Sequence, residues 1–166
     1  MLERMAVTES PAKQLARFIA KFTPAIAKEA RAALARVRRL VPASAVQFVY
    51  DNWNGLVIGF GPNERPSDAI VSLLVAHDHV TLCFINDGPG LPDPERLLKG
   101  SGKIVRHVRL VSARDLDTPA IRALIKAAIS RSDVPFSSTG RSRLIIRSIS
   151  PRQRPRRVST PAQRRR

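Results

Sequence analysis

The stretch Tyr50-Asp51-Asn52-Trp53-Asn54-Gly55 decides the fold, because it joins two strand-like segments through a tight turn. Asn and Gly both tolerate positive φ, so Asn54-Gly55 is a strong signal for a hairpin turn. Ala45–Tyr50 reads as the strand before the turn, and Leu56–Phe60 reads as the return strand. The pattern predicts a β-hairpin whose tip displays Asp51, Asn52, Trp53 and Asn54.

Further strands are expected to extend this hairpin into a meander. The connection Gly61–Pro66 leads to the apolar run Ala69–Ala76, which suits a central strand. His77-Asp78 turns the chain, and Val80–Ile85 continues it. A long Gly- and Pro-rich loop then covers residues 86–102, before a fifth strand over Ile104–Val111. A loop of this length in a compact domain is usually functional or packs as its own cap.

Three helices are predicted by one repeated start signal. Ser10-Pro11, Thr23-Pro24 and Thr118-Pro119 each place a hydroxyl at the N-cap and proline at the first helical position. The first helix should stop near Phe22, and Pro42 should end the second.

The second helix is expected to be amphipathic with a basic outer face. Its apolar residues fall on one arc at about 100° per residue. On the opposite arc lie five basic residues: Lys28, Arg31, Arg36, Arg38 and Arg39. Such a face is typical of a solvated helix surface, and it also suits contact with nucleic acid or an anionic membrane.

Together these elements predict an α+β fold, an antiparallel sheet of about five or six strands with two or three helices packed on one face. Arg143–Ile149 supplies the last strand. We expect a flexible N-terminus over residues 1–9, one domain over 10–150 and a disordered Arg-rich tail over 151–166. The tail holds one large apolar residue, Val158, and burial of apolar surface must offset the entropy of ordering a chain.

Composition indicates a globular, strongly basic protein of 166 residues. Hydrophobic residues make up 43%, and the formal net charge is +16. Residues 51–100 carry −4, whereas the segments on either side are strongly positive. A single cysteine, Cys83, the absence of a long apolar run and the lack of a secretory signal predict a cytoplasmic protein that does not enter a membrane.

The central motifs resemble the YdhG-like domains of unknown function. The resemblance covers most of residues 10–150. It rests on Val49–Pro62, Ser67–Ile70, Gly90–Pro94, Leu97–Gly102, Val105–Leu110 and Leu144–Ser148. It implies a small α+β domain with helices against an antiparallel sheet. Some members are described as frataxin-like iron chaperones, a role that depends on exposed carboxylates.

Catalytic and cofactor motifs are not found. His77 and His79 would share one face of a strand, but no third metal ligand stands at a recognisable spacing. Gly100-Ser101-Gly102-Lys103 lacks both the first glycine and the Ser or Thr of a phosphate-binding loop. Without a nucleophile–base pair, the chain is predicted to be a non-enzymatic binding protein without a cofactor.

The hairpin tip and the long loop are predicted to form the binding site for an unidentified small ligand or protein. Trp53 offers an exposed aromatic ring beside two amide side chains, which suits recognition. The predicted site residues are Tyr50, Asn52, Trp53, Asn54, Lys103 and His107.

Two alternatives stay open. The first is association with nucleic acid through the basic second helix and the tail arginines Arg152, Arg154, Arg156, Arg157, Arg164, Arg165 and Arg166. The second, implied by the resemblance, is iron binding by Asp87, Asp93 and Glu95.

Overall fold

The computed structural model describes residues 8–157, which form three α-helices and one six-stranded sheet. The helices are α1 (Pro11–Ala20), α2 (Pro24–Leu40) and α3 (Pro119–Ser130). The strands are β1 (Val46–Asp51), β2 (Leu56–Gly61), β3 (Val71–Val75), β4 (Val80–Phe84), β5 (Arg106–Leu110) and β6 (Arg143–Ile149). Three short 3₁₀ turns lie at Pro66–Asp68, Gly88–Gly90 and Ala113–Asp117. In the described part of the chain, no helix has both the length and the apolar character needed to cross a membrane.

The predicted helix starts are confirmed. The Ser10 hydroxyl accepts a hydrogen bond from the Lys13 amide at 3.3 Å, and the Thr23 hydroxyl accepts one from the Ile26 amide at 3.3 Å. These bonds satisfy amides that the first helical turn leaves without a partner. Thr118 differs, because its hydroxyl donates to the Asp115 carbonyl at 2.7 Å instead of capping α3.

The sheet has the order β5-β4-β3-β2-β1-β6. β1 to β5 form the predicted antiparallel meander, with Asp51 opposite Leu56 at the hairpin turn. β6 pairs with β1 in parallel, so the sheet is mixed where a purely antiparallel one was predicted. The chain makes this possible by crossing from one edge of the sheet to the other through α3, since parallel neighbours need a long connection. The α+β class is confirmed, as is the placement of the helices on one face.

The main core lies between the helices and the inner face of the sheet. Alternate residues of each strand point toward the helices, as the two-residue period of a strand requires. Phe60 of β2, Leu73 of β3 and Leu82 of β4 are fully buried there. Phe18 of α1 and Val37 of α2 pack onto the same cluster.

A second, smaller cluster covers part of the outer face of the sheet. Val46 and Phe48 of β1 are buried there together with Ala69. Tyr50 and Ile145 pack against them. This face therefore has its own apolar patch, although none of the helices formed by residues 8–157 lies over it.

The strand directions place each connection at one of the two ends of the sheet. One end, which we call the tip end, carries the turns Asn52–Gly55 and Ala76–His79 and the residues that follow β5 and β6. The other end, the loop end, carries the long connection between β4 and β5 at residues 85–105. This geometry decides which of the predicted site residues can meet.

Residues 151–157 dock onto the tip end, contrary to the prediction that disorder begins at residue 151. Arg156 is 7% exposed, and its guanidinium donates to the Asp51 carboxylate at 2.8 Å. The Arg154 amide donates to the Trp53 carbonyl at 2.9 Å. Composition predicted disorder because the segment is poor in apolar residues, but a buried carboxylate supplies the stabilisation that apolar contacts do not. Residues 158–166 and 1–7 lie outside the described part of the chain.

We expect Arg156→Ala to lower the free energy of unfolding by about 3 kcal/mol, because it leaves the buried Asp51 carboxylate with only Lys21 as a cationic partner. Urea denaturation followed by circular dichroism measures the change. The matched control is Arg152→Ala, since the Arg152 side chain is exposed and makes no hydrogen bond within residues 8–157. The control should stay within about 0.5 kcal/mol of the parent chain.

Ending the chain after Ser150 should reproduce the loss caused by Arg156→Ala, whereas ending it after Arg157 should not. Equal stability of these two shortened chains would show that docking of residues 151–157 does not stabilise the fold.

Candidate functional site

Three of the predicted site residues lie together at the tip end. Asn52, Trp53 and Asn54 are exposed and line an open cleft of about 370 Å³. Trp53 is 47% exposed, as expected for a residue that presents its ring for recognition. Tyr50 is elsewhere: it lies on β1 with its side chain in the outer apolar cluster.

Lys103 and His107 do not join them. Both belong to the loop end or to the start of β5, and β5 is the edge strand farthest from β1. Three to four strand spacings separate β5 from the hairpin, which is about 14–19 Å. The prediction that the hairpin tip and the long loop form one site is therefore wrong. The distance between the two segments depends on how many strands lie between them, and neither motif reveals that number.

Asp51 fixes the hairpin tip from beneath. Its carboxylate is fully buried and accepts from the Lys21 ammonium at 2.7 Å as well as from Arg156. Arg156 also donates to the Asn52 carbonyl at 2.6 Å, and Gln153 Nε2 donates to the Asp51 carbonyl at 3.0 Å. One anion thus connects the end of α1, the end of β1 and the docked segment.

The cationic partners keep Asp51 ionised. Burial alone would raise the pKa of this carboxyl, because a low-dielectric interior disfavours the charged form. Hydrogen bonds from Lys21 and Arg156, together with Gln153, outweigh that effect and hold the pKa of Asp51 below its ordinary value.

The carboxylates proposed for iron are spread along the long loop. Both Asp93 oxygens accept backbone amides, from Leu97 and Leu98, at 2.9 Å each. Asp87 lies 3.9 Å from the Arg131 guanidinium. Within residues 8–157, no group of three or more His, Cys, Asp or Glu side chains is arranged to hold a metal ion. Asp93 has a local structural role, since it caps the turn that follows it.

The turn between β3 and β4 forms a small charged cluster. His79 Nδ1 lies 2.5 Å from Asp78 Oδ1, and this contact lowers the pKa of the Asp78 carboxyl. His79 and Arg109 border a cleft of about 210 Å³ beside α2. Glu29, on the same cleft, accepts the Ala113 amide at 2.7 Å. The cleft therefore presents both signs of charge, and its acidic groups already have partners.

The four tail arginines within the described range serve different purposes. Arg156 is buried and unavailable to a partner molecule. Arg157 donates to the carbonyls of Ala20 and Lys21 at the end of α1. The guanidinium of Arg154 lies 6.0 Å from the centre of the Trp53 ring, and Arg152 is exposed. Arg164, Arg165 and Arg166 lie outside the described residues.

The most extended charged surface lies on the helices. The three helices contain nine Lys and Arg residues but one acidic residue, Glu29, whose carboxylate faces Ala113. Two of the nine are paired: Arg17 with Glu9 and Arg36 with Asp117. The other seven are exposed and form no salt bridge within residues 8–157. We call them the basic layer: Lys13, Lys28, Arg31, Arg38, Arg39, Arg122 and Lys126.

Grooves between the helices bring these side chains together. Arg39 of α2 faces Arg122 and Lys126 of α3 across a groove of about 320 Å³. Arg31 and Arg38 border the groove on the other side of α2, against α1. Lys28 and Arg39 are eleven residues apart on α2, which spans about 16 Å along the helix axis. The cations therefore cover a broad surface.

Sequence reasoning found only part of this surface. The helical period identified the basic face of α2, but nothing in the period of α3 shows that it packs beside α2. The composition of the helices could have indicated the rest of the basic surface, because α3, like α1, has no acidic residue.

Comparison with known proteins does not assign the chain to a family. No protein-family model, curated protein or solved structure matches it. The YdhG-like resemblance therefore stays a prediction.

We expect the stabilising effect of Asp51 to depend on pH. An unfolded Asp titrates near pH 3.9, and the folded pKa of Asp51 is lower. The carboxylate therefore stabilises the fold fully above about pH 4, and this contribution is lost as the pH falls through the folded pKa. The difference in unfolding free energy between the parent chain and Asp51→Asn should be constant from pH 7 to 5 and should shrink toward pH 3.

Urea denaturation at each pH measures that difference. Asp133→Asn, at an exposed residue that makes no salt bridge within residues 8–157, serves as the matched control and should stay within about 0.5 kcal/mol of the parent. An unchanged difference for Asp51→Asn between pH 7 and pH 3 would contradict the lowered pKa.

Proposed function

We propose that the chain is a nucleic-acid-binding protein that contacts the phosphate backbone through the basic layer. The observation that carries this proposal is the charge asymmetry of the helices, where nine cationic residues stand against one acidic residue that faces a backbone amide. Seven of the nine cations are exposed and free of salt bridges within residues 8–157. A surface of this kind is a typical electrostatic footprint for nucleic acid.

Counterion release supplies the affinity. Each phosphate neutralised by Lys or Arg frees condensed cations, so binding weakens as salt is added. The contacts require no particular base sequence. The small exposed residues Ala35 of α2 and Ala123 of α3 lie among these cations and leave room for a close approach of the backbone.

The distribution of exposed apolar side chains favours nucleic acid over a membrane surface. Helices that bind at a bilayer interface insert large apolar residues between the lipids. Among residues 8–157, the exposed large hydrophobic side chains are Trp53, Ile104, Val105, Val111 and Ile149. None of them is on a helix, because the apolar faces of α1, α2 and α3 are buried in the core.

This proposal relocates the contact surface expected from the sequence. The sequence predicted contact through the basic face of α2 together with the tail arginines, but Arg156 is buried in an internal ion pair. In the proposed contact surface, the groove between α2 and α3 takes the place of Arg156, because Arg39, Arg122 and Lys126 lie together there.

The triple substitution Arg39→Gln, Arg122→Gln and Lys126→Gln should weaken binding of a labelled 20-nucleotide oligonucleotide roughly tenfold or more at 0.1 M salt. The slope of log K against log salt should become shallower by about 2 to 3, since three phosphate contacts are lost. Fluorescence anisotropy of the oligonucleotide measures both quantities. Gln retains good helix propensity, so the fold is preserved.

A matched control removes the same charge from the loop end: Arg96→Gln, Lys99→Gln and Lys103→Gln. These exposed residues form no salt bridge within residues 8–157 and lie outside the basic layer. Equal weakening by both triple variants would show that net charge alone drives binding. Binding to anionic lipid vesicles without binding to any oligonucleotide would overturn the proposal.

A further inference from the structure

The cleft at the hairpin tip has no part in the backbone contacts proposed above. It measures about 370 Å³ and is lined by Asn52, Trp53, Asn54, Gly55, Val57, Leu74 and Ser150. Its lining combines one large aromatic ring, 47% exposed, with two amide side chains and the aliphatic side chains of Val57 and Leu74. An aromatic surface next to hydrogen-bonding groups is the combination that recognises a planar, polar ring.

The amide side chains that line the cleft are available to bind a ligand. Within residues 8–157, the side chains of Asn52 and Asn54 make no hydrogen bond, although the backbone carbonyl of Asn52 accepts from Arg156. Each amide offers two N–H donors and an acceptor oxygen. These are the groups needed to pair with the edge of a nucleobase.

Three local contacts hold the backbone of the cleft in place. The Asn52 amide donates to the Gly55 carbonyl at 2.9 Å, and Trp53 accepts from the Arg154 amide at 2.9 Å. Gly55 lies directly against β3, where a Cβ atom would stand 2.6 Å from the Val75 carbonyl oxygen. A rigid site loses less entropy when it binds a ligand.

One exposed cation, Arg154, lies beside this cleft. The guanidinium of Arg154 lies over the Trp53 ring, and Arg152 is exposed nearby in the chain. The one acidic group at the hairpin tip, Asp51, is buried and neutralised by Lys21 and Arg156. The guanidinium of Arg157 donates to carbonyls at the end of α1. A ligand that carries phosphates therefore fits this environment better than a neutral one.

We propose that the hairpin-tip cleft binds one unpaired nucleobase, stacked on Trp53 and hydrogen-bonded by Asn52 or Asn54. The proposal rests on the nucleic-acid-binding function and specifies its substrate: a strand with at least one unstacked base. Val57 and Leu74 place the cleft on the outer face of the sheet, away from the helices, so the base contact is separate from the backbone contacts of the basic layer. Stacking on an aromatic side chain is tolerant of base identity, because every base has a π-face. A blunt duplex exposes no such base and engages the basic layer alone.

Trp53 is the sole tryptophan of the chain, so its fluorescence reports on the cleft alone. The full chain is titrated with a single-stranded 12-nucleotide oligomer, a blunt 12-base-pair duplex and inorganic polyphosphate. We expect the single strand to quench Trp53 fluorescence. The duplex and polyphosphate should bind in a salt-dependent way with little quenching, since neither presents an unpaired base.

Substitution of the ring provides a second measurement, by anisotropy of a labelled oligomer. Trp53→Leu should weaken single-strand binding about 5- to 100-fold, the range expected for one stacked base. Polyphosphate binding should change by less than about twofold if the fold is intact, because it depends on charge alone. Trp53→Phe keeps an aromatic ring and should recover part of the loss.

The outcomes separate this inference from the function on which it rests. Salt-dependent binding of all three ligands, with no Trp53 quenching and no effect of Trp53→Leu, would overturn the base cleft and leave backbone binding in place. Failure of every ligand to bind would overturn both proposals.

Discussion

The buried ion cluster of Asp51, Lys21 and Arg156 is the constraint on which the tip end of the molecule depends. A carboxylate with no solvent exposure is tolerable only when cations and hydrogen-bond donors surround it. Lys21 follows α1, Asp51 ends β1, and Arg156 comes from a segment that composition alone assigns to disorder. Because all three groups must be in place together, the hairpin turn, the end of the first helix and residues 151–157 form one structural unit.

Function follows from what the packing leaves exposed. The apolar faces of the helices pack against the sheet. The outer surfaces of α1, α2 and α3 therefore carry mainly positive charge. The acidic residues lie mostly in connections, where several of them bind amides or arginines locally. The outcome is a molecule with one broad cationic side and, at one end of its sheet, a tryptophan held in a fixed position.

The local elements could be read from sequence because each depends on neighbours along the chain. Ser10 and Thr23 cap their helices through residues three positions away, and a bond from the Asn52 amide to the Gly55 carbonyl closes the hairpin turn within four residues. The turn forms where Asn54-Gly55 predicted it, although neither residue adopts the positive φ on which that prediction was based. The site could not be read in the same way. Whether Trp53 meets Lys103 depends on how many strands separate them, and the pairing of Asp51 with Arg156 joins residues 105 positions apart. The helical period identified the basic face of α2, but composition could not show that one buried anion orders an arginine-rich segment.

The parallel pairing of β6 with β1 has a consequence for how the chain acquires its structure. β1 lies inside the finished sheet, yet one of its neighbours is β6, whose first residue, Arg143, pairs with Val46 near the start of the domain. During synthesis, the edge of β1 that pairs with β6 has no partner until residues 143–149 have left the ribosome, and unpaired strand edges are prone to intermolecular association. Residues 143–157 therefore complete both the sheet and the ion cluster around Asp51, and β1 keeps an unpaired edge until they are made.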